Sequence, residues 1–402
     1  MHIFYFSTAL SDSIYNEIVE KCTRFKPTFS GVGFDRNVAV GLSEMISISG
    51  VSLYPIPSFP KFSRLIQPSR VFVQGSFNCK SPWMLSLPLI KEYCYAFNAF
   101  RYVCKKHKTG DSFVILVSGL YRSLLRPALW IKKKYGVPVV AVVPDLPEQM
   151  ILYRRDYSKL RTILNKIDLF FSRKYRRGVD GFVELSPFMD PYVNESNKPF
   201  VIMDGLCNLE LLSQVANKPA VNGRYIMYAG KVSSTFGTDK LVSAFLLANI
   251  KDYSLVICGD GDFAAELRKI ANNHPQIVFV GAVPHDTVVA MEKSATLLVE
   301  PRPSHTVIAK MSFPSKIIEY MASGTPVLVT NIPSFEEAYR QYQYRIEEES
   351  IEGIATALSQ TLSLSEDALK EKGNDAKAFV LNNKTITKQC EKIINLIRCV
   401  AK

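Results

Sequence analysis

The chain has 402 residues, 47% of them hydrophobic and 21% charged, a globular composition that excludes a disordered or fibrous polypeptide. No apolar run reaches the ~18–20 residues that a helical membrane span needs. The net charge of +12 lies in one half, since residues 1–200 carry 28 Lys/Arg against 15 Asp/Glu and residues 201–402 carry 21 against 22. The first half is therefore the place for a polyanionic partner: nucleic acid, an anionic membrane surface or a phosphorylated substrate.

The opening residues, Met1-His2-Ile3-Phe4-Tyr5-Phe6, have no basic leader and no small-residue cleavage site. They predict a buried first strand, not a signal peptide. Next, Ser30-Gly31-Val32-Gly33-Phe34 reads as a glycine loop ahead of a helix-length apolar pattern at 33–47. Such a loop, with Gly31 and Gly33, can approach a phosphate or a transferred sugar at a helix N-terminus. Strands are predicted at 2–7, 70–75, 112–118, 138–144 and 181–186, with further helices near 84–107, 121–135 and 157–178. Beyond the strand at 138–144, Asp145 and Glu148 bring two carboxylates to a strand end. Asp145 is either a group that orients a ligand hydroxyl or the N-cap of the next helix.

Residues 151–177 interleave Arg154, Arg155, Lys159, Arg161, Lys166 and Arg173–Arg177 with Leu160, Ile163, Leu164, Ile167, Phe170 and Phe171 at roughly helical spacing. This pattern fits a helix lying on an anionic leaflet, and it also fits a core-facing stripe with a solvated basic face. Clusters at Lys105-Lys106-His107-Lys108, Arg122 with Arg126, and Lys132-Lys133-Lys134 favour the leaflet.

Pro, Asn and Gly concentrate at 197–223, which is where the domains should join, giving 1–200 and 201–383. The second half repeats the βα rhythm, with strands at 225–229, 254–258, 277–280, 296–300 and 326–330 and helices near 238–248, 263–272, 286–294, 314–323 and 334–342. From 350 the chain reads as helical. Alternating βα units predict an α/β protein with two Rossmann-like domains, whose ligands lie beyond the carboxyl ends of the strands.

The candidate residues follow that rule. Gly230 and Lys231 end the first strand of the second domain, where a glycine admits a ligand and a lysine meets a diphosphate. Gly259 and Gly261, in Cys258-Gly259-Asp260-Gly261-Asp262, form a tight loop after the next strand. Gly281 to His285 occupies another strand end, with His285 expected to cap or pack. Glu300-Pro301-Arg302 leads through a polar loop to Phe313-Pro314-Ser315-Lys316-Ile317-Ile318-Glu319-Tyr320-Met321-Ala322-Ser323-Gly324-Thr325-Pro326-Val327. A helix opening near Pro314 and Ser315 offers unpaired amides to an anion. Lys316 adds a full charge to its first turn, and Glu319, one turn on, suits a ribose diol.

This last stretch resembles the retaining glycosyltransferases of family 4, of the GT-B fold, in its bacterial surface-polysaccharide subgroup. Their hallmark ends in Glu, a short spacer and Gly-x-Pro-Val, as Glu319 to Val327 does here. The resemblance implies two domains facing across a cleft, with the terminal helix at 384–402 returning to the first. It implies a nucleotide-diphosphate sugar as donor and a glycan or polyprenyl-phosphate-linked saccharide as acceptor. Lys231, Lys316 and Asp145 become the catalytic candidates. Gly31, Gly33, Gly230, Gly259, Gly261, Arg302, Pro314, Ser315 and Glu319 become the donor-binding ones.

The chain departs from the family at three places, one of them Pro144, where many relatives carry a histidine ahead of the aspartate that is Asp145 here. The hallmark's first glutamate falls on Met311, and Phe236-Gly237 stands where relatives carry a second lysine, a charge that Lys316 is expected to supply. Eight cysteines without a Cys-x-x-Cys pair and five scattered histidines predict neither disulfides nor a zinc site. No metal and no further cofactor is expected, nor any nucleic-acid partner, and the expected location is cytoplasmic, peripheral on the inner face of the plasma membrane. Two alternatives stand: a sugar-nucleotide epimerase of the same fold, which needs acid/base groups at the sugar, and a non-enzymatic binder of anionic surfaces or nucleic acid.

Overall fold

A computed structural model describes residues 1–22, 29–88, 90–107, 110–148 and 159–402. It separates into two units, one of Met1–Met203 with Ile386–Lys402 and one of Asp204–Thr385.

The first domain holds strands β1 (His2–Ser7), β2 (Ile48–Ser52), β3 (Ile66–Gln67), β4 (Arg70–Gln74), β5 (Phe77–Ser81), β6 (Met84–Leu85), β7 (Phe113–Ser118), β8 (Val139–Val143), β9 (Gly181–Glu184) and β10 (Phe200–Ile202). Eight of them form one sheet in the order β10-β9-β8-β7-β1-β2-β5-β4, while β3 and β6 pair separately. Every residue of β2, β7, β8 and β9 is buried, as expected of parallel strands covered on both faces.

Three departures from the sequence reading have physical causes. Ile48–Ser52 is a central strand, although Ser-Gly-Val-Ser carries little β signal. Gly50 is needed there because a Cβ would collide with the side chains of Phe77 and Cys79. The strand at 70–74 is not a parallel βα strand: it folds back antiparallel on β5 through a two-residue turn at Gly75 (φ 55°). The helix read at 33–47 runs from Phe29 to Ser43, so Gly31 and Gly33 belong to its first two turns and not to a preceding loop.

The closing helix, Ile386–Val400, packs on the first domain, burying Cys390, Ile393 and Ile397. Gly41 faces its Ile386, where a Cβ would have no room, and Gly181 faces Leu396 and Val400. The C-terminal return is therefore observed.

The second domain is a six-stranded, all-parallel sheet of β11 (Arg224–Lys231), β12 (Tyr253–Asp260), β13 (Ile277–Gly281), β14 (Leu297–Glu300), β15 (Val327–Thr330) and β16 (Tyr344–Ile346). Its order is β13-β12-β11-β14-β15-β16, the doubly wound arrangement in which the chain reverses direction across the sheet between β11 and β14. One face is covered by the helices Thr238–Ala248 and Ile351–Leu362, with Leu241, Phe245 and Leu358 packed on Ile226, Leu255 and Val299. No described helix is long and apolar enough to cross a membrane.

Candidate functional site

In a doubly wound sheet the crevice opens beyond the strand ends at the reversal point, here the exits of β11 and β14. Strand β11 ends in Gly230-Lys231, in register with Gly259-Asp260 of β12. A Cβ on Gly259 (φ 139°) would press into the Gly230 carbonyl, and one on Gly261 into that of Val232. These two glycines are thus required by backbone meeting backbone, a cause that the loop reading did not contain.

Gly237 (φ 77°) begins the helix Thr238–Ala248, and the space of its absent Cβ is filled by the Pro301 carbonyl. That approach carries the exit of β14 against Phe236. The Arg302 guanidinium lies 5.1 Å from the Phe236 ring centre and the Lys231 ammonium 5.7 Å from it. Two cations thus gather at one aromatic ring at the reversal point. Arg302 is buried, with its Nε 3.5 Å from Glu300 Oε1, and neither atom has a hydrogen-bond partner. The Thr330 hydroxyl holds the Arg302 carbonyl at 2.5 Å. Phe236, which displaces a family lysine, is therefore part of a cationic cluster and not a gap in one.

The helix expected to open at Pro314 runs over Lys316–Ser323, with Ser315 as an N-cap whose side chain makes no capping bond. Pro314 is buried ahead of it. The segment read as a polar loop contains a short helix, Val307–Met311, capped by Thr306. Met311, at the family's first-glutamate position, is a buried apolar residue of that helix.

Lys316 does not project as a lone charge. Its ammonium sits 2.6 Å from Glu319 Oε1 and 3.5 Å from Glu292 Oε1. The other Glu319 oxygen lies 2.5 Å from His285 Nε2. Burial disfavours the Glu319 carboxylate, but the Lys316 charge and the His285 hydrogen bond outweigh it and hold the group well below the usual carboxylate range. Burial, with the Glu319 charge added, shifts Glu292 upward and favours its protonated form. Burial disfavours the Lys316 ammonium, yet the two carboxyls outweigh that and raise its pKa. His285 and Glu292, one expected to cap and the other unnoticed, thus belong to the site. No spacing rule could have found them, because both lie about thirty residues from Glu319.

The adjacent residue ties this helix to the strand mouth. Tyr320 is fully buried, and its hydroxyl accepts from the Ala229 amide at 2.7 Å.

In the first domain, Asp145 follows β8 by two residues and is partly buried. Gly31 is exposed and Gly33 buried within their helix. The same helix supplies Asp35 to the reversal point between β1 and β7. Asp35 accepts from the Thr8 amide and hydroxyl, both at 2.7 Å, and from the Ser118 and Tyr5 hydroxyls. Glu184, ending β9, is buried with no partner at either oxygen, and burial followed by the Asp190 charge pushes its pKa up to about 8. Residues 151–158 of the basic stretch lie outside the described residues. Among the described residues, no three His, Cys, Asp or Glu side chains gather as metal ligands.

Residues 213–378 match the family described as glycosyl transferases group 1. The chain is a glycosyltransferase, one that uses a nucleotide-sugar donor. The transferase shares its fold, along its whole length, with sucrose-phosphate synthase from Thermosynechococcus elongatus (TM-score 0.68, 13% identity, covering 100% of this chain and 99% of that one). It is similar to a trehalose-6-phosphate structure from E. coli bound with UDP-2-fluoro glucose (0.65, 10%, 99% and 99%). An Anabaena protein in complex with UDP is similar again (0.61, 11%, 99% and 99%). The fold is therefore GT-B. A comparison with the curated proteins finds no match.

Proposed function

We propose that this glycosyltransferase is a retaining enzyme of cell-surface polysaccharide synthesis, moving a sugar from a nucleoside-diphosphate sugar to a lipid-linked glycan. The observation that carries the donor reading is the approach of both Lys231 and Arg302 to the Phe236 ring at the strand reversal. Two cations gathered at one ring suit a diphosphate, whose charge grows as the sugar leaves. The amides that open the helix at Lys316 add to that field. Glu319, ionised and oriented by Lys316 and His285, suits the ribose hydroxyls. Lys316 itself then acts by positioning Glu319, and Arg302 supplies the second phosphate charge that Lys316 was expected to give.

In the reaction, the bond between the sugar's anomeric carbon and the β-phosphate oxygen breaks, and its electron pair stays on that oxygen. The acceptor hydroxyl oxygen bonds to the anomeric carbon on the same face, and its proton passes to the phosphate. Positioning and charge neutralisation are then the protein's main tasks. Asp145 is assigned to orienting the acceptor hydroxyl; with Gly33 buried inside its helix, only the exposed Gly31 is left for the approach of the transferred sugar. The reading needs no metal, and places the enzyme on the cytoplasmic face of the membrane that carries its acceptor.

The test is a thermal-shift screen against UDP, GDP, ADP, CMP and their sugar conjugates, with and without EDTA. UDP is first because two structural neighbours hold UDP or a UDP-sugar analogue. At a hundred times the dissociation constant a ligand stabilises by roughly 2.7 kcal/mol. A selective shift that survives EDTA supports the reading. No shift with any of them removes it.

A further inference from the structure

The helix Lys159–Arg176 of the first domain is packed inside out. Its described inward positions hold Asn165, Ser172 and Arg176, all buried. Its outward stripe holds Ile163, Ile167 and Phe170, at 55%, 43% and 65% exposure. Residues spaced four and three apart share one face, so this is a continuous apolar stripe turned to solvent. Two of the inward polar residues tie the helix to its neighbours: the Ser172 hydroxyl donates to the Leu120 carbonyl at 2.5 Å, and Arg176 donates to the Tyr192 carbonyl at 2.9 Å. The orientation is therefore fixed by the fold.

The neighbouring helices extend the surface. Arg122, on Arg122–Tyr135, bridges Glu92 of the helix Ile90–Lys106 and Asp168, both at 2.9 Å, locking three helices into one layer. The outer side of Ile90–Lys106 repeats the pattern, with Tyr93 and Phe97 exposed and then Arg101 and Lys105. Across the three helices the sequence carries fifteen Lys/Arg against two Asp/Glu. Both acids are those held by Arg122.

We propose that this three-helix layer docks on an anionic lipid surface, with Ile163, Ile167 and Phe170 in the headgroup layer and the lysines and arginines on lipid phosphates. An apolar stripe bordered by cations is what an interfacial helix presents to such a leaflet. The same charge argues against a second copy as occupant, since two such layers repel each other. The inference deepens the lipid-linked acceptor reading and rests on it for its purpose, not for its geometry.

The full chain is sedimented with phosphatidylcholine vesicles, with and without phosphatidylglycerol. The wild type should bind the anionic vesicles selectively and be released by salt. Ile167→Ser/Phe170→Ser should lower partitioning by about tenfold or more. Lys166→Glu/Lys174→Glu should lower it by roughly fivefold per residue, each variant melting like the wild type. Binding that both variants retain overturns the assignment of this face. So does an absence of binding, whether the protein is monomeric or forms a dimer that Phe170→Ser dissolves. A UDP thermal shift on the same samples separates the two ideas: its failure removes the donor reading and leaves the vesicle result intact.

Discussion

The Tyr320 hydroxyl accepts a hydrogen bond from the Ala229 amide at 2.7 Å and donates one to the Ala229 carbonyl at 3.1 Å. It thereby replaces a strand partner at the point where β11 runs out toward Gly230 and Lys231. The residue after the ribose-binding candidate Glu319 therefore fixes the place of the diphosphate-binding candidate Lys231. Tyr320→Phe leaves a buried amide without an acceptor. It should cost about 1–3 kcal/mol in urea unfolding and weaken the UDP thermal shift, because Lys231 is no longer held.

Lys231→Ala and Arg302→Ala should each lower turnover by roughly 10²–10³-fold, the usual loss when one fixed charge or donor leaves a transition state. If both act on one diphosphate, the double variant will fall short of the product of the single losses. Steady-state rates at saturating donor decide this, and wild-type rates in Arg302→Ala would place the second charge elsewhere.

Lys316→Ala should destabilise as well as inactivate, by about 3–5 kcal/mol, since it strips a buried carboxylate of its cation. Glu292→Gln is the contrast. Burial and the Glu319 charge favour the neutral form of Glu292, so the amide should change stability by less than about 1 kcal/mol and leave most activity. Urea titrations of the two variants side by side test the protonation states directly.

Glu184 gives a pH dependence. Its folded pKa, about 8, lies above the unfolded value near ~4.3, so the fold favours the protonated form. Its contribution is complete below the unfolded pKa and declines as pH rises toward 8, by at most ~1.4 kcal/mol per pH unit. Glu184→Gln should match the wild type at low pH and exceed it in melting temperature near pH 8. Parallel curves across that window would contradict the assignment.

Gly259→Ala should destabilise by more than ~2 kcal/mol, because φ is 139° and the Gly230 carbonyl fills the methyl position. The loss would appear without any ligand, which separates a structural glycine from one that merely admits substrate.

What could be read from the chain was what short-range chemistry dictates. Val139–Val143 and Phe113–Ser118 are apolar enough to announce buried strands, and Lys316 to Gly324 carries its own start and stop signals. Ile48–Ser52 could not be read, since its place in the sheet depends on Phe77 and Cys79 closing over Gly50. The site divides in the same way. Lys231, Arg302 and Glu319 stood out as polar residues at strand ends and on a helix start. The joining of His285 and Glu292 to the Lys316–Glu319 pair, and of Phe236 to two cations, exists only once the sheet has assembled.

The return of Ile386–Val400 to the first domain bears on the order in which the protein is made. Strands β9 and β10 and the helix Phe29–Ser43 wait, on the ribosome, for a helix encoded some 180 residues after Met203. The second domain, contiguous from Asp204 to Thr385, can complete its sheet first. The half of the enzyme that emerges earliest is the last to mature, and a nascent chain halted before Ile386 would hold a finished donor-side domain beside an unsealed one.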